Sequence, residues 1–438
     1  MNIKVTVVGA GLAGCEAAAV LARLGLEVDL LEMKPQRFSP AHRLAGPAEL
    51  VCSNSLKSDD PTTAQGLLKT ELRALGSVIM QGAASCRVPA GGALAVDRER
   101  LSEEVARLLG QYPEVRFLPG HPVEEPPPGE VILATGPLTD APLAKWLEKQ
   151  LGQGARLYFY DALAPIVEAE SIDFDKVFLG SRYGKGSADY VNCPLDRQQY
   201  RALVRALVEA PKAPVHDFEP DHFFEGCLPV EEMARRGEDT LAFGPLKPVG
   251  FGREAYAVVQ LRAENRERTA YNLVGFQTRL TQPAQRQVFR MIPGLEKARF
   301  LRYGAMHRNL YLDAPRALDD RLGLKALPRV HVCGQIAGVE GYLESAALGL
   351  LCALVVGGGL LGKNISPPPP TCALGALWRH VRRPAEGAFE PMNINFGLFP
   401  PVEAPSRHKR RELLLERARK DFDSWLKTLD LPVSPRCT

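Results

Sequence analysis

The N-terminal pattern of apolar and polar positions predicts a strand, a turn, a helix and a second strand. Residues 3–8 form a short apolar run rich in β-branched side chains, and residues 16–24 carry apolar positions at helical spacing. A second apolar run, at 27–31, ends at Glu32. The turn between the first strand and the helix reads G-x-G-x-x-G, at 9–14. This order of elements predicts a nucleotide-binding βαβ unit.

The glycine turn supplies the candidate phosphate contacts. Gly9 allows the tight turn, Gly11 lets a pyrophosphate approach the backbone, and Gly14 lets helix and strand pack closely. The N-terminus of the helix stabilises phosphate charge, and Glu32 is placed to accept hydrogen bonds from a ribose. The candidate dinucleotide-binding residues of this unit are Gly9, Ala10, Gly11, Leu12, Ala13, Gly14 and Glu32.

Two later segments favour FAD over NAD as the nucleotide. Residues 129–140 predict a buried strand that ends in Ala-Thr-Gly, and residues 329–353 predict a strand, a glycine-rich turn and a helix that begins near Glu344. Both resemble the recurring elements of two-dinucleotide-type FAD enzymes, in which the second brings a helix N-terminus to the pyrimidine end of the flavin. The alternative is an ordinary βα unit. The candidate contacts are Thr135, Gly136, Gly334, Gln335, Glu344 and Ser345.

The pattern changes twice further along the chain. Between 156 and 293, β-type stretches surround a helical segment, which predicts an inserted α+β domain. The prolines at 367–370 mark a boundary because proline cannot continue a helix. The predicted class is α/β, a Rossmann-like, two-dinucleotide-type FAD-binding fold with an inserted domain and a helical tail. The predicted segments are a discontinuous FAD-binding domain at 1–155 and 294–362, a substrate domain at 156–293 and a basic helical segment at 363–438.

Length and composition are those of a soluble multidomain enzyme. The 438 residues are too many for one core, and hydrophobic residues make up an ordinary 45%. A net charge of +3 does not by itself indicate nucleic acid, so any basic surface has to be local. Nine cysteines without a C-x-x-C pair favour a reducing cytoplasm over a disulfide framework. No signal peptide is predicted, and the longest apolar run, at 346–361, reads as too short to span a bilayer.

Two cysteines occupy polar loops rather than apolar runs. Cys52 lies in PAELVCSNSLKSDD, where an apolar pair gives way to polar residues, and Cys227 lies between a glycine and a nearby proline, which indicates a rigid turn. Acids and histidines at 216–225 make a metal site the alternative for the second loop, but their spacing matches no tetrahedral or facial-triad motif. Both thiols are candidate nucleophiles. The cysteines expected to pack in the core are Cys15, Cys333 and Cys352.

Six segments in colinear order carry a resemblance to a known family. They read TVVGAGLAGCEAA, LVCSNSLKSDD, FFEGCLPVEEMARRG, LKPVGF, the stretch at 271–315, and CGQIAGVEGYLESAALGL. Over nearly the whole chain they resemble the folate- and FAD-dependent tRNA uracil-5 methyltransferases, the TrmFO family. The two thiol loops and the Met-His-Arg-Asn segment at 306–309 are more specific to that family than the glycine turn.

The resemblance implies methylation of C5 of the T-loop uridine, position 54 of tRNA. The one-carbon unit would come from 5,10-methylenetetrahydrofolate and the electrons from reduced FAD, with NADH or NADPH reducing the flavin. Uracil C5 becomes nucleophilic once a thiolate adds at C6. We assign that attack to Cys227 and a flavin-side role to Cys52, and the reverse order stays open. The expected partners are tRNA and tetrahydrofolate, for a cytoplasmic monomer or homodimer that uses no metal and no membrane.

Cations are expected where the negative parts of the substrates bind. For the glutamate tail of folate the candidates are Arg279, Arg286, His307, Arg308 and Asn309. For the tRNA phosphates they are Arg379, Arg382, Arg383, Arg407, Lys409, Arg410 and Arg411. The alternative for these arginines and lysines is a solvated surface charge, and in the tail a helix with i,i+4 charge pairs. The alternative for His307 is a satisfied core histidine.

Three other functions remain alternatives to methylation. The larger flavoprotein family that modifies the wobble uridine of tRNA shares the glycine turn, but this chain reads as too short for its extended C-terminal region. A thiol–disulfide flavin reductase would need a C-x-x-C or C-x-x-x-x-C pair, which the sequence lacks. A non-catalytic flavin-dependent RNA-binding protein is disfavoured by two thiols in polar, glycine-flanked loops.

Overall fold

The structure is a computed structural model that describes residues 3–151, 156–184, 187–213, 228–251, 254–382 and 389–429, with side chains undescribed at 156–161, 184, 308 and 407. The strands are β1 (Lys4–Val8), β2 (Glu27–Glu32), β3 (Ser55–Ser58), β4 (Arg87–Val88), β5 (Ala93–Val96), β6 (Val115–Pro119), β7 (Glu130–Leu133), β8 (Arg156–Ala162), β9 (Ile166–Glu168), β10 (Phe178–Gly180), β11 (Tyr190–Leu195), β12 (Ala257–Ala263), β13 (Ala270–Leu273), β14 (Phe300–Arg302), β15 (Met306–Leu312), β16 (Gly323–Leu324) and β17 (Leu327–Val332). The helices are α1 (Leu12–Arg23), α2 (Ala64–Ala74), α3 (Val78–Ser85), α4 (Arg98–Leu109), α5 (Ala141–Leu151), α6 (Arg197–Glu209), α7 (Val230–Arg235), α8 (Thr240–Phe243), α9 (Gln282–Phe289), α10 (Ala314–Ala317), α11 (Tyr342–Leu360), α12 (Ala373–Arg382) and α13 (Arg407–Leu426).

The first sheet has the strand order β16-β17-β7-β1-β2-β6, and all its pairs are parallel except β16 with β17. Its central strand β1 buries Val5 and Val7 on one face and Val8 on the other, as expected for a parallel strand covered by helices. Helix α1 packs against α11 and is buried along its whole length, in keeping with a sequence in which eight of twelve residues are alanine, leucine or valine. The predicted α/β class with a parallel sheet is confirmed.

The second sheet is antiparallel, with the order β10-β11-β12-β13-β9-β14. Its apolar face forms a separate core with α6 and α9. Helix α6 begins at a capping box in which Asp196 and Gln199 bond each other's backbone N–H groups. Strand β14 belongs to this sheet although it lies after residue 293, in the segment assigned to the FAD-binding domain. The division of the chain into domains at 156–293 therefore stays a prediction.

Two small sheets connect the two larger bodies. Strand β8 pairs antiparallel with β15, and β5 pairs with both β3 and β4. Residues of the β4–β5 hairpin, among them Val88 and Ala95, pack into the core of the second sheet. The loop between β2 and β3, which contains Cys52, therefore lies where the two bodies meet.

Helix α11 corrects one expectation from the sequence. It has 19 residues and is long and apolar enough to cross a membrane by length and composition, so the prediction that this segment is too short was wrong. Its burial gives it a different role, because 83% of its most apolar window lies inside the protein. It is a core helix whose glycines allow close packing: a Cβ at Gly349 would lie 2.2 Å from the carbonyl oxygen of Ala13 in α1.

The tail folds back onto the first body. The buried carboxylate of Glu71 in α2 accepts hydrogen bonds from the backbone N–H groups of Ala373 (2.9 Å) and Leu374 (2.8 Å), which fixes the start of α12. Helix α13 is attached to the segment before α12, since Trp425 donates from its indole to the carbonyl of Ser366 at 2.9 Å.

Candidate functional site

The glycine turn between β1 and α1 is closed by contacts that only glycine permits. Gly9 has a φ of +97°, and a Cβ on it would lie 2.7 Å from the carbonyl oxygen of Ala134. A Cβ on Gly14 would lie 1.8 Å from the carbonyl oxygen of Gly9. The first turn of α1 contains no acidic residue, so the positive end of its dipole is free of a competing carboxylate. This geometry fits a pyrophosphate.

Glu32 holds the turn from the neighbouring strand. Its carboxylate accepts hydrogen bonds from the backbone N–H groups of Ala10 (2.9 Å) and Lys34 (3.1 Å). The side chain is buried in the protein but lines the cleft above the turn. It therefore both shapes the loop and presents acceptor oxygens where a ribose would lie.

A cleft of about 1020 Å³ runs along the carboxyl ends of β1, β7 and β17. Ten of the predicted cofactor residues line it: Gly9, Gly11, Leu12, Ala13, Glu32, Thr135, Gly136, Gly334, Gln335 and Ser345. Ala10 and Gly14 lie behind the wall, where they set the shape of the turn. Residues from the first turns of both α1 and α11 line this cleft, which fits FAD better than a mononucleotide.

A second cavity, also of about 1020 Å³, adjoins this cleft and contains Cys52. Glu344, His307 and Asn309 line it as well, so the structure brings these predicted residues together with the thiol. The walls shared by the two cavities are Val51, Pro137, Leu138, Gln335 and Tyr342. Cys52 therefore lines a cavity that shares a wall with the cleft.

The backbone at Cys52 is held by the phenol of Tyr342, at the start of α11. The N–H groups of Cys52 (2.5 Å) and Ser53 (3.2 Å) both donate to its Oη. Burial, and then the neighbouring thiol, raise the pKa of this phenol well above its usual value, so it stays protonated. Cys52 itself is half-buried.

The same loop is attached to the second body by Asn54, which is fully buried. Its amide donates to the carbonyl of Ala263 at 2.9 Å, and its Oδ1 accepts a hydrogen bond from Arg262 at 2.8 Å. Arg98, at the start of α4, donates to the carbonyl of Leu50 at 2.9 Å and pairs with Glu264 at 2.8 Å. The thiol therefore has a fixed position relative to both sheets.

Two half-buried imidazoles face the two cavities: His307 lines the thiol cavity and His42 lines the cleft beside it. Burial, followed by the charge of Arg302, lowers the pKa of His307 to about 4. Burial, followed by Lys34, His307 and Arg302, lowers the pKa of His42 to about 4 as well. Both imidazoles are therefore neutral at pH 7 and available as hydrogen-bonding groups.

Sequence reasoning missed several of these residues. Tyr342, Asn54 and Arg98 act through backbone contacts across the fold, and no local motif announces such contacts. Arg302 and His42 lie in segments that carry no motif of their own. The available signal was position, since Asn54, Tyr342 and Arg302 all lie within segments that carry the family resemblance.

The other folate candidates are not brought to the cavity walls in the part of the chain that the structure describes. Arg279 pairs with Glu232 at 2.6 Å, and Arg286 donates to the hydroxyl of Tyr303 at 2.8 Å. Strand β15 includes Arg308, but its side chain lies outside the described residues. So does Cys227, together with the acids and histidines at 216–225. Among the described residues no cluster of His, Cys, Asp or Glu could hold a metal ion.

The tRNA candidates lie on α12 and α13 in different settings. Arg382 pairs with Asp320, Arg411 donates to the carbonyl of Thr62, and Lys409 pairs with Glu412. Arg379 donates to the carbonyl of Leu398, and Arg410 is exposed. Arg383 and the side chain of Arg407 lie outside the described residues.

The core cysteines follow the sequence prediction. Cys15, Cys333 and Cys352 are fully buried, and burial raises the pKa of Cys15 well above its usual value. A thiol that is sealed in the core and protonated is a packing group.

The fold and the glycine-lined cleft define a flavoprotein class, and the comparisons agree. Residues 4–364 match the family described as Glucose inhibited division protein A. GidA of Aquifex aeolicus, in its form II crystal, superposes with a TM-score of 0.70 over 98% of this chain and 74% of that chain. At 15% identity this likeness shows the fold alone.

Relatives of nearly equal length narrow the class to one family. A protein of Geobacter sulfurreducens named Methylenetetrahydrofolate--tRNA-(uracil-5-)-methyltransferase TrmFO is 54% identical over 98% of this chain and 100% of its own length. Its namesake in Anaeromyxobacter dehalogenans is 53% identical over 99% of both chains. The one in Moorella thermoacetica is 49% identical over 97% of this chain and 98% of its own. The chain belongs to the TrmFO family.

Proposed function

We propose that this protein is a methyltransferase that uses 5,10-methylenetetrahydrofolate to methylate C5 of a uridine in tRNA. The observation that carries the proposal is the identity of 54% over the whole length of a relative that bears this activity in its name. The geometry supports it, because a thiol-containing cavity adjoins a cleft suited to FAD. The proposed target is the T-loop uridine at position 54, as the family resemblance implies.

FAD would be held by the turn at 9–14, by Glu32 and by the segments after β7 and β17. When bound and reduced, it supplies the hydride that converts a one-carbon unit at the methylene level to a methyl group. NADH or NADPH is the proposed reductant. The remaining tasks belong to side chains of this chain: to activate C5, to orient the ring and to accept its proton.

A cysteine thiolate that adds to uracil C6 makes C5 nucleophilic. We assign this attack to Cys227, which lies outside the described residues, and we assign Cys52 to the flavin side of the cavity. The hydrogen bonds of the Cys52 loop support this assignment, because those from Cys52 to Tyr342 and from Asn54 to the carbonyl of Ala263 fix the thiol in the cavity next to the cleft. The target uridine has to leave its stack to reach this depth.

His307 and Asn309 are the described side chains best placed to contact folate. Both line the thiol cavity from β15, and the imidazole Nε2 of His307 has no hydrogen-bonding partner among the described residues. A neutral imidazole can donate or accept a hydrogen bond, which suits the mixed edge of a pterin ring. We keep Arg308 beside them as a candidate for the negatively charged tail.

The experiment that tests the function supplies the purified yellow protein with undermodified tRNA, labelled methylenetetrahydrofolate and NADH or NADPH. We expect label in 5-methyluridine, and none when position 54 of the tRNA is cytidine. Label that arrives from S-adenosylmethionine but not from folate would contradict the proposal. In the same assay Cys227→Ala and Cys52→Ala should each abolish methyl transfer, with the core variant Cys352→Ala as the matched control.

A further inference from the structure

Arg302 is a buried cation to which no function has yet been assigned. Its side chain is only 9% exposed, yet its guanidinium forms no ion pair and no hydrogen bond with any described residue. A buried charge without a partner is costly in free energy and is uncommon in folded proteins. The side-chain nitrogen atoms of Arg302 are not sealed off inside the protein, so a ligand can reach them.

The position of Arg302 is fixed by its surroundings. It ends β14, where it pairs with Ile166, and the following turn is clamped because the side chain of Gln285 bonds both N–H and C=O of Gly304, at 2.8 and 2.9 Å. The chain then enters β15, whose His307 lines the thiol cavity. The backbone of Arg302 is thus fixed by its pairing with β9 and by the clamped turn that leads to His307.

The ionisable groups that interact most strongly with this guanidinium are two arginines, two imidazoles, a thiol and a phenol. Its charge acts on the imidazoles of His42 and His307, on Arg98 and Arg43, and on the Cys52 thiol and the Tyr342 phenol. Arg98 has a carboxylate partner of its own in Glu264, whereas Arg302 has none among the described residues. The neighbouring imidazoles are neutral and able to donate a hydrogen bond.

We propose that Arg302, with His42, His307 and the exposed Arg43 beside it, forms a binding site for an oxyanion group of a substrate at the edge of the Cys52 cavity. A guanidinium binds carboxylate or phosphate oxygens through paired hydrogen bonds, and the absent counter-charge would then be supplied by the ligand. Two sources carry this chemistry: a carboxylate of the folate glutamate and a phosphate of tRNA. The inference rests on the proposed function only for the identity of these two ligands.

The test measures equilibrium binding to the FAD-loaded protein, with no turnover. The probes are 5-formyltetrahydrofolate, the corresponding formyltetrahydropteroate that lacks the glutamate, and an unmodified tRNA transcript at several salt concentrations. Arg302→Met should weaken binding of one glutamate-bearing or phosphate-bearing probe by about tenfold or more, as expected for loss of a charge-assisted contact. Arg302→Lys keeps the charge and should retain part of the affinity.

The two sources give different patterns. If the ligand group is a folate carboxylate, Arg302→Met weakens binding of the formyltetrahydrofolate and leaves the pteroate compound unchanged. If it is a phosphate, Arg302→Met weakens tRNA binding and reduces its salt dependence by about one phosphate contact. Either pattern supports the oxyanion site.

The control is Arg299→Met, which removes an exposed arginine three residues earlier that pairs with Glu168. This variant should bind each of the three probes with an affinity within about twofold of the wild-type value. If Arg302→Met retains FAD and its melting temperature but binds every probe as the wild type does, the proposal is overturned. If Arg302→Met loses FAD, the affinities for the three probes are compared between Arg302→Gln and Arg302→Lys instead. Equal affinities of these two variants for every probe would overturn the proposal. Because binding is measured directly, failure of methyl transfer would not be mistaken for failure of this site.

Discussion

A single phenolic oxygen, that of Tyr342, determines how Cys52 is presented. Two consecutive backbone N–H groups of the thiol loop donate to it, and no other described side chain takes that place. Without the acceptor these groups would have to find water or move. The orientation of the thiol therefore depends on a residue that is distant in sequence and contributes no charge.

Replacing Tyr342 with Phe removes this acceptor and retains the ring. We expect methyl transfer to fall by about tenfold or more, because a buried N–H left unpaired costs about 1–3 kcal/mol and the loop would rearrange to avoid it. The measurement is the initial rate of 5-methyluridine formation, together with the bound FAD. Tyr311→Phe is the control, since its hydroxyl bonds the carbonyl of Phe389 away from the thiol. Equal rates for both variants would contradict the assigned role.

The half-buried imidazoles of His42 and His307 give the protein an acid-sensitive stability. Each has a pKa of about 4 in the folded protein, against about 6.5 in an unfolded chain. The folded state thus resists protonation, and the stability present above pH 6.5 is lost as the pH falls towards 4.

The loss amounts to up to about 3 kcal/mol for each imidazole, at about 1.4 kcal/mol per unit of pKa. Urea unfolding at pH 7.5 and pH 5 measures the part of this loss that occurs above pH 5, which is about 2 kcal/mol for each imidazole. His307→Gln should reduce the difference between the two pH values, and the exposed His408→Gln should leave it unchanged. A wild-type stability that is the same at both pH values would refute the prediction.

At the scale of single residues, the sequence was informative where chemistry is local. The glycine turn and Glu32 are specified by neighbours along the chain, so their pattern could be recognised. Cys52 stood out because a thiol followed a break from apolar to polar residues. Arg302 and Asn54 could not be identified from the sequence. Arg302 is distinguished by having no partner among the described residues, and Asn54 by partners that only folding brings close.

Among the elements, the turn between β1 and α1 has the least tolerance for change. Helix α1 approaches β1 so closely that one added methyl group at Gly14 would overlap the carbonyl of Gly9. The carbonyl belongs to the backbone and cannot move without opening the turn.

Gly14→Ala should therefore yield protein without bound flavin. The expected result is colourless protein with no absorbance near 450 nm, because the backbone can no longer form the pyrophosphate site. Gly110→Ala is the control, since Gly110 has helical dihedral angles at the end of α4 and its nearest contacts are 3.5 Å away. A yellow Gly14→Ala protein would show that the turn can form with a side chain at this position.

Helices and strands with a clear hydrophobic period could be predicted from the sequence. The elements that they pack against or pair with could not. The apolar run that became α11 read as a short segment because its glycines interrupt the pattern. In the structure those glycines are contact points, and the helix extends from Tyr342 to Leu360. Strand β14 shows the reverse case: three residues of ordinary composition join a sheet whose other strands precede them in the chain.

At the scale of the whole molecule, we expect tRNA to bind where basic residues of the tail make no contact within the protein. Several basic residues of α12 and α13 are engaged in fixing the tail to the first body, as Arg382 and Arg411 are. Arg410 is exposed and forms no ion pair with another described residue, which makes it the tail residue best suited to a phosphate contact.

Arg410→Glu should raise the dissociation constant for tRNA by about five- to tenfold and lower the salt dependence by about one contact, without affecting folate binding. Fluorescence anisotropy with labelled tRNA at several salt concentrations measures both quantities. Arg116→Glu, at an exposed site on edge strand β6, is the control. If both variants bind tRNA equally well, the basic tail is not part of the docking face.

The packing of α1 against α11 has a consequence for how the protein is made. The first βαβ unit leaves the ribosome early, yet α1 is buried on all sides by elements that include α11, which ends at Leu360. At roughly 5–20 residues per second, the ribosome needs on the order of half a minute to deliver that covering helix. During this interval an almost wholly apolar helix has no permanent cover, so the nascent chain has to be shielded by other means. A stalled chain that lacks β17 and α11 should bind no FAD and be cleaved rapidly by protease, whereas a chain released at full length should resist it.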